Sequence, residues 1–167
     1  MASVGMAHLL NTQMNLEFQA SNLCLSLSDW CTKHSLIGTA IFLRTQAQEN
    51  ITHMMRMFDY MKSAGANPVV TTPAAPPAGC STLEELFEKT LAEYTSRCRI
   101  LALLTAQADA YGDIETRDFL REMEKEHEYE GLLLQTIMDE VRNARKMGLG
   151  LSQTDRHLLN IVNYQQH

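Results

Sequence analysis

Two stretches of this sequence echo each other. One is Phe42-Leu43-Arg44 running to Glu49-Asn50-Ile51-Thr52-His53, the other Phe119-Leu120-Arg121 running to Glu126-His127-Glu128-Tyr129-Glu130. They lie 77 positions apart, and each reads F-L-R-x-x-x-x-E with a polar residue after the glutamate and another three further on. Residues three apart on a helix share a face, so each stretch aims a polar pair in one direction, Asn50/His53 and His127/Glu130. Polar pairs flanked by apolar positions are tolerable inside a fold only if other helices bring partners to them. The repeat therefore predicts a bundle of helices with a polar level in its core.

The rest of the chain supplies the helices. Apolar or small residues recur at helical spacing at Met6, Leu9, Leu10, Met14, Cys24 and Leu27, predicting a first helix from Met6 to Trp30. A second runs from about Thr39 to Ser63, with Phe42, Leu43, Ala47, Asn50, Met54, Met57 and Met61 inward. The segment AGANPVVTTPAAPPAGCS holds all four prolines and cannot be helical, so it reads as a long crossover between two helical hairpins. Ser81-Thr82-Leu83-Glu84 then has the form of a capping box, with Ser81 as the N-cap of a third helix reaching Ala110. That helix should bury Leu83, Leu86, Phe87, Leu91, Tyr94, Leu101 and Leu104. A fourth helix is expected over Ile114–Lys146, burying Phe119, Leu120, Met123, His127, Glu130, Leu134, Ile137, Met138 and Val141. After Gly148 and Gly150, Ser152-Gln153-Thr154-Asp155 is placed to cap a short fifth helix carrying Leu158, Leu159, Ile161 and Val162. The 77-residue offset also sets the first helix against the third, Glu17 falling on Tyr94.

Composition narrows the function classes. A length of 167 residues with 45% hydrophobic content suits one domain over residues 1–167. A net charge of −6 and the lack of a basic run argue against nucleic-acid binding. The four cysteines show no CxxC pairing, which argues against a zinc site or a disulfide scaffold. No apolar run reaches membrane-spanning length, and the start has no basic n-region, so neither a membrane partner nor a signal peptide is expected and the protein is read as cytoplasmic.

Glu17 is the only formally charged side chain between Met1 and Ser28, and it sits on the apolar line of its helix. A lone buried carboxylate is expensive without a cation. Glu17, His53, His127 and Glu130 at four-helix spacing therefore read as metal ligands, since facing helices of a bundle build di-iron sites from glutamates and Glu-x-x-His pairs. Asn50 reads as a hydrogen-bonding neighbour, Tyr94 as a ligand, second donor or core residue, and Cys24 as a small buried group. Glu49 lies about 80° from the stripe, as a flanking group able to swing inward. Glu122, Glu124 and Glu128 form an acidic outer band.

Asn11-Thr12-Gln13-Met14-Asn15-Leu16-Glu17, Phe42-Leu43-Arg44 through Glu49, Thr52-His53-Met54, Met57-Phe58-Asp59-Tyr60 and Leu83-Glu84-Glu85-Leu86-Phe87 resemble the bacterial non-haem ferritins, and their divergent B-type branch in particular. The resemblance covers roughly Met6 to Val162. It implies an all-α, ferritin-like four-helix bundle with one long crossover and a short fifth C-terminal helix. It further implies Fe(II) oxidation by O2 or peroxide, and ferric iron held in a hollow 24-subunit shell, with iron at a di-iron site and no haem. Glu17, His53 and Glu130 would carry the oxidation, and Glu49, Glu126 and Glu130 match three flanking carboxylates of a third iron position, the fourth falling at Tyr129. The sequence departs from the family pattern at Asn50 and Tyr94, where glutamates are usual, at His127, where the family has glutamine, and at Cys24 and Tyr129. Glu93 is the nearest carboxylate to the Tyr94 position. These departures imply an atypical site and slow oxidation. The alternatives are a shell subunit that stores and releases iron with weak catalysis, a DNA-protecting mini-ferritin, and a plain helical scaffold.

Overall fold

The computed structural model describes residues 4–73 and 79–165, and among them every regular element is an α-helix. The first, α1, spans Val4–Lys33, longer at both ends than its apolar period suggested. α2 covers Ile37–Ser63, α3 Leu83–Ala110, α4 Ile114–Lys146 and α5 Leu151–Gln165. The chain thus forms a four-helix bundle with one long crossover and a short fifth helix. Pro76 and Pro77 of the crossover, and the side chain of Val162, lie outside the described residues.

Two apolar clusters fix how the helices run. One joins Leu27 and Cys31 of α1, Ala40 and Leu43 of α2, Leu86 and Phe87 of α3, and Ile137 and Val141 of α4. The other joins Met6 and Met14 of α1, Met57 and Met61 of α2, Leu101 and Leu104 of α3, and Leu120 and Met123 of α4. The start of α1 and of α4 therefore share one end of the bundle, and the start of α2 and of α3 share the other. Each sequential hairpin is antiparallel, while α2 and α3 run the same way. That arrangement needs a connection as long as the bundle, and the crossover provides it. Its backbone is carried along α1 by two asparagines: Asn11 Oδ1 accepts from Val69 N at 2.7 Å, and Asn15 accepts from Thr71 N at 2.8 Å and donates to Val69 O at 2.9 Å. Further along, Gly79 lies beside Trp30, near the far end of α1.

Local capping differs from expectation in two places. The N-cap of α3 is Thr82, not Ser81: Thr82 Oγ1 accepts from Glu85 N at 3.0 Å, and Glu85 in turn accepts from Ser81 N at 3.1 Å. The sequence offers both S-x-x-E and T-x-x-E in overlapping frames. Starting the helix at Leu83 buries Leu83, Leu86 and Phe87 together, and that apolar burial selects the second frame. The quartet Ser152–Asp155 does not precede α5 but lies inside its first turns. Asp155 caps a different helix: its carboxylate accepts from Gly38 N at 3.0 Å and Thr39 N at 2.7 Å, two free donors at the start of α2. Leu91, Tyr94 and Phe119 are half-buried at the bundle margin rather than in its centre.

Candidate metal centre

Between the two apolar clusters lies a polar layer, one turn from each helix. α1 contributes Glu17, with no exposed surface; α2 contributes Asn50 and His53; α4 contributes His127 and Glu130, all buried. Glu17, His53 and His127 bring one ligand atom each to within 4.8 Å of one another. His127 Nε2 stands 2.6 Å from Glu17 Oε1, and its Nδ1 donates to the Met123 carbonyl at 2.8 Å. A carbonyl only accepts, so Nδ1 carries a proton and orients the ring as a ligating imidazole usually is; Nε2, turned to the centre, donates to Glu17 here and would give up that proton to bind a metal. The His53 ring stacks on His127 with centroids 4.6 Å apart. Its Nε2 faces Glu126 at 3.3 Å, while its buried Nδ1, 4.0 Å from Glu17, has no hydrogen-bond partner. A buried nitrogen facing a carboxylate with nothing donated to it is a coordination position in waiting.

The other sequence-predicted residues are placed as follows. Glu126 is exposed; besides facing His53 it pairs with Arg56, so it links the buried centre to the surface. Glu49 is exposed and stands outside the converging set. Glu130 Oε1 is engaged by an arginine at 2.8 Å, leaving its Oε2 without a partner. Asn50 donates to Glu17 Oε2 at 3.3 Å, as a hydrogen-bonding neighbour. Tyr94 donates its hydroxyl to the His127 carbonyl at 2.7 Å. Gly131 makes this possible, because a Cβ there would overlap the Tyr94 hydroxyl and ring. Cys24 is buried in the apolar cluster, and burial pushes its thiol up to about 12.

The residue that the sequence reading missed is Arg97. It is 2% exposed and is the largest fully buried side chain among the described residues. Its NH1 donates to Glu17 Oε2 at 3.1 Å, its NH2 to Glu130 Oε1 at 2.8 Å, and its Nε to Glu93 Oε1 at 2.7 Å. The cation that Glu17 demands is therefore present within the chain. Burial alone would raise the Glu17 carboxyl, but Arg97 and the donating His127 hold it down at about 2. His53 is lowered, chiefly by burial, which keeps it neutral and able to bind a metal. For His127 burial is outweighed by its bond to Glu17, and its value rises. A signal for Arg97 existed: Thr90, Tyr94, Arg97, Leu101 and Leu104 keep strict helical spacing, so the arginine sits on the inward line of α3.

Comparison with known proteins identifies the lineage. Residues 7–144 match the ferritin-like domain family, and the chain is 54% identical to a bacterial non-heme ferritin-like protein of Escherichia coli K12 over the full length of both. The chain belongs to the ferritin family. It is also 38% identical to a bacterial non-heme ferritin of Escherichia coli O157:H7, covering 92% of this ferritin chain and 93% of that one. Among solved structures, Chlorobium tepidum ferritin superposes with a TM-score of 0.85 at 26% identity, covering 99% and 98% of the two chains. An open-pore ferritin of Archaeoglobus fulgidus gives 0.89 at 24% identity over 95% and 98%, a likeness of fold alone.

Proposed function

We propose that this ferritin chain stores iron, taking Fe(II) at the buried Glu17, His53 and His127, oxidising it slowly with O2 or peroxide, and holding ferric iron inside a hollow shell of 24 copies in the cytoplasm. The observation that carries this reading is the convergence of those three side chains, with His53 Nδ1 buried and unpartnered between them. The donor set fits the cargo: one carboxylate and two imidazoles suit first-row divalent ions, and the Met123 carbonyl and Glu126 fix how the two rings present their nitrogens. Glu126, exposed and beside His53, and Glu49, exposed on α2, are the carboxylates proposed to meet iron before the buried ligands do. Glu130 is proposed as an additional anionic ligand through its unpartnered Oε2. Slow oxidation rests on what helix α3 lacks, since Tyr94 turns its hydroxyl to a backbone carbonyl and Glu93 is engaged by Arg97. Taking one O2 to hydrogen peroxide requires two electrons and two protons, and so two ferrous ions.

Stopped-flow oxidation of Fe(II) by the assembled protein tests this. The Glu17→Ala, His53→Ala double variant is expected to lose the protein-dependent initial rate and oxidise iron no faster than buffer. Retention of the full initial rate by that variant would remove these residues from the function.

A further inference from the structure

Resting on that reading of the centre, we infer that Arg97 is a built-in counter-cation occupying the second cation position, so that each chain holds one divalent metal ion in its core rather than two. The guanidinium is held by three carboxylates from three helices: Glu17 of α1, Glu93 of α3 and Glu130 of α4. Its fork is used on every edge, with Nε and NH2 on Glu93, NH1 on Glu17 and NH2 on Glu130. An arginine this buried remains in place only while its charge is paired, and removing partners from it is strongly unfavourable.

The charge count points the same way. Three carboxylates against one guanidinium leave two negative charges in the layer, which one divalent ion neutralises. A second divalent ion would leave the same buried layer positive, close to a fixed guanidinium, where like charges are weakly screened. It would also have to draw on the oxygens the arginine now holds, Glu17 Oε2 and Glu130 Oε1. The Glu17 oxygen that the arginine leaves free, Oε1, faces His127, and His53 stacks over that ring with its Nδ1 4.0 Å from Oε2. Helices α1, α2 and α4 thus provide ligands, and α3 provides a cation. Asn50 fits this division, because a neutral amide donating to Glu17 replaces an acid that the arginine-filled layer does not need.

The test counts metal directly, without reference to oxidation. Crystals of the assembled protein soaked in zinc chloride are examined by anomalous diffraction at the zinc edge. The wild type should show one core peak per chain, among Glu17, His53 and His127. Arg97→Gln, which removes the charge and keeps hydrogen-bonding capacity, should show two, the new one against Glu130. In solution the same variant should gain more in melting temperature from zinc than the wild type does, because the metal replaces the lost cation. Arg97→Lys, which keeps the charge, should stay at one, and covers the case in which the glutamine variant folds only with zinc present. Two core peaks in the wild type or in Arg97→Lys, or a single peak in Arg97→Gln, would overturn the inference. No core peak in the wild type would instead overturn the metal centre itself.

Discussion

Glu17 shows how one residue sets the terms for its surroundings. A carboxylate with no exposed surface cannot remain ionised in an apolar stripe unless cations and donors meet it, and here Arg97, His127 and Asn50 do. The demand was plain in the sequence; the supplier was marked only by its place on the inward line of α3. Arginine usually carries its charge to solvent on a long apolar stem, so an arginine on an inward line is discounted unless a facing acid is also weighed. Glu49 is the opposite case: a side chain well off the stripe had a choice, and it is exposed to solvent. The pH dependence of the metal-free protein follows from these pairings. The folded-state value of Glu17, about 2, lies below its ordinary 4.5. Its stabilisation is therefore fully present above about pH 4.5 and is lost as pH falls toward 2, amounting to about 3 kcal/mol. His127 lies above its ordinary 6.5, so its contribution is present below that value and is lost as pH rises through its folded value. Glu93, raised mainly by burial, opposes Glu17 in the acid range, so the clean comparison is with Glu17→Gln. The stability gap between wild type and Glu17→Gln, followed by urea unfolding, should shrink steadily from pH 5 to pH 3. A gap that stays constant over that range would show that the carboxylate is not held by these partners.

At the level of elements, the helices were readable because their apolar faces repeat, whereas their ends depend on contacts the sequence does not display. The bounds of α3 and α4 agree with the spacing at Ala110, Ile114 and Lys146, where turn residues and a change of period coincide. The start of α2 is different. No side chain of its own caps it at Leu36; the acceptor comes from Asp155, 117 positions beyond Gly38. Such a cap is a tertiary contact and leaves no local signature. Gly38 belongs to the same junction, since a Cβ there would lie 2.6 Å from the Asp155 carbonyl and 2.8 Å from Leu159 Cβ. Together they hold α5 against the start of α2. Asp155→Ala should lower stability by about 2 kcal/mol, the upper range for losing a helix cap, and speed amide exchange at Gly38 and Thr39 while leaving the polar layer unchanged. Unaltered exchange at those two amides would mean that α5 does not fasten α2.

For the whole molecule, the 77-residue offset foretold two related hairpins, and the crossover length foretold that the second must return along the first. The sequence does not show how much apolar surface this packing leaves outside. Leu132 is 70% exposed, Met147 68% and Leu103 61%, all on the outer faces of α3 and α4 or just past the end of α4. Separate exposed leucines are ordinary, but several along one pair of helices suit burial against further copies. The acidic balance would suit the interior of such an assembly: Glu122 and Glu128 are exposed on α4, and a net charge of −6 per chain multiplied over a closed shell would concentrate ferrous ions. Sedimentation of the purified protein should therefore give one large, closed species. After Fe(II) is added in air, iron should travel with that species through gel filtration. Glu122→Gln, Glu128→Gln should reduce the iron retained per particle while the core zinc count stays at one, because those carboxylates lie outside the buried layer. A small species that emerges free of iron would leave the bundle as a helical scaffold, with Arg97 serving only to neutralise its core.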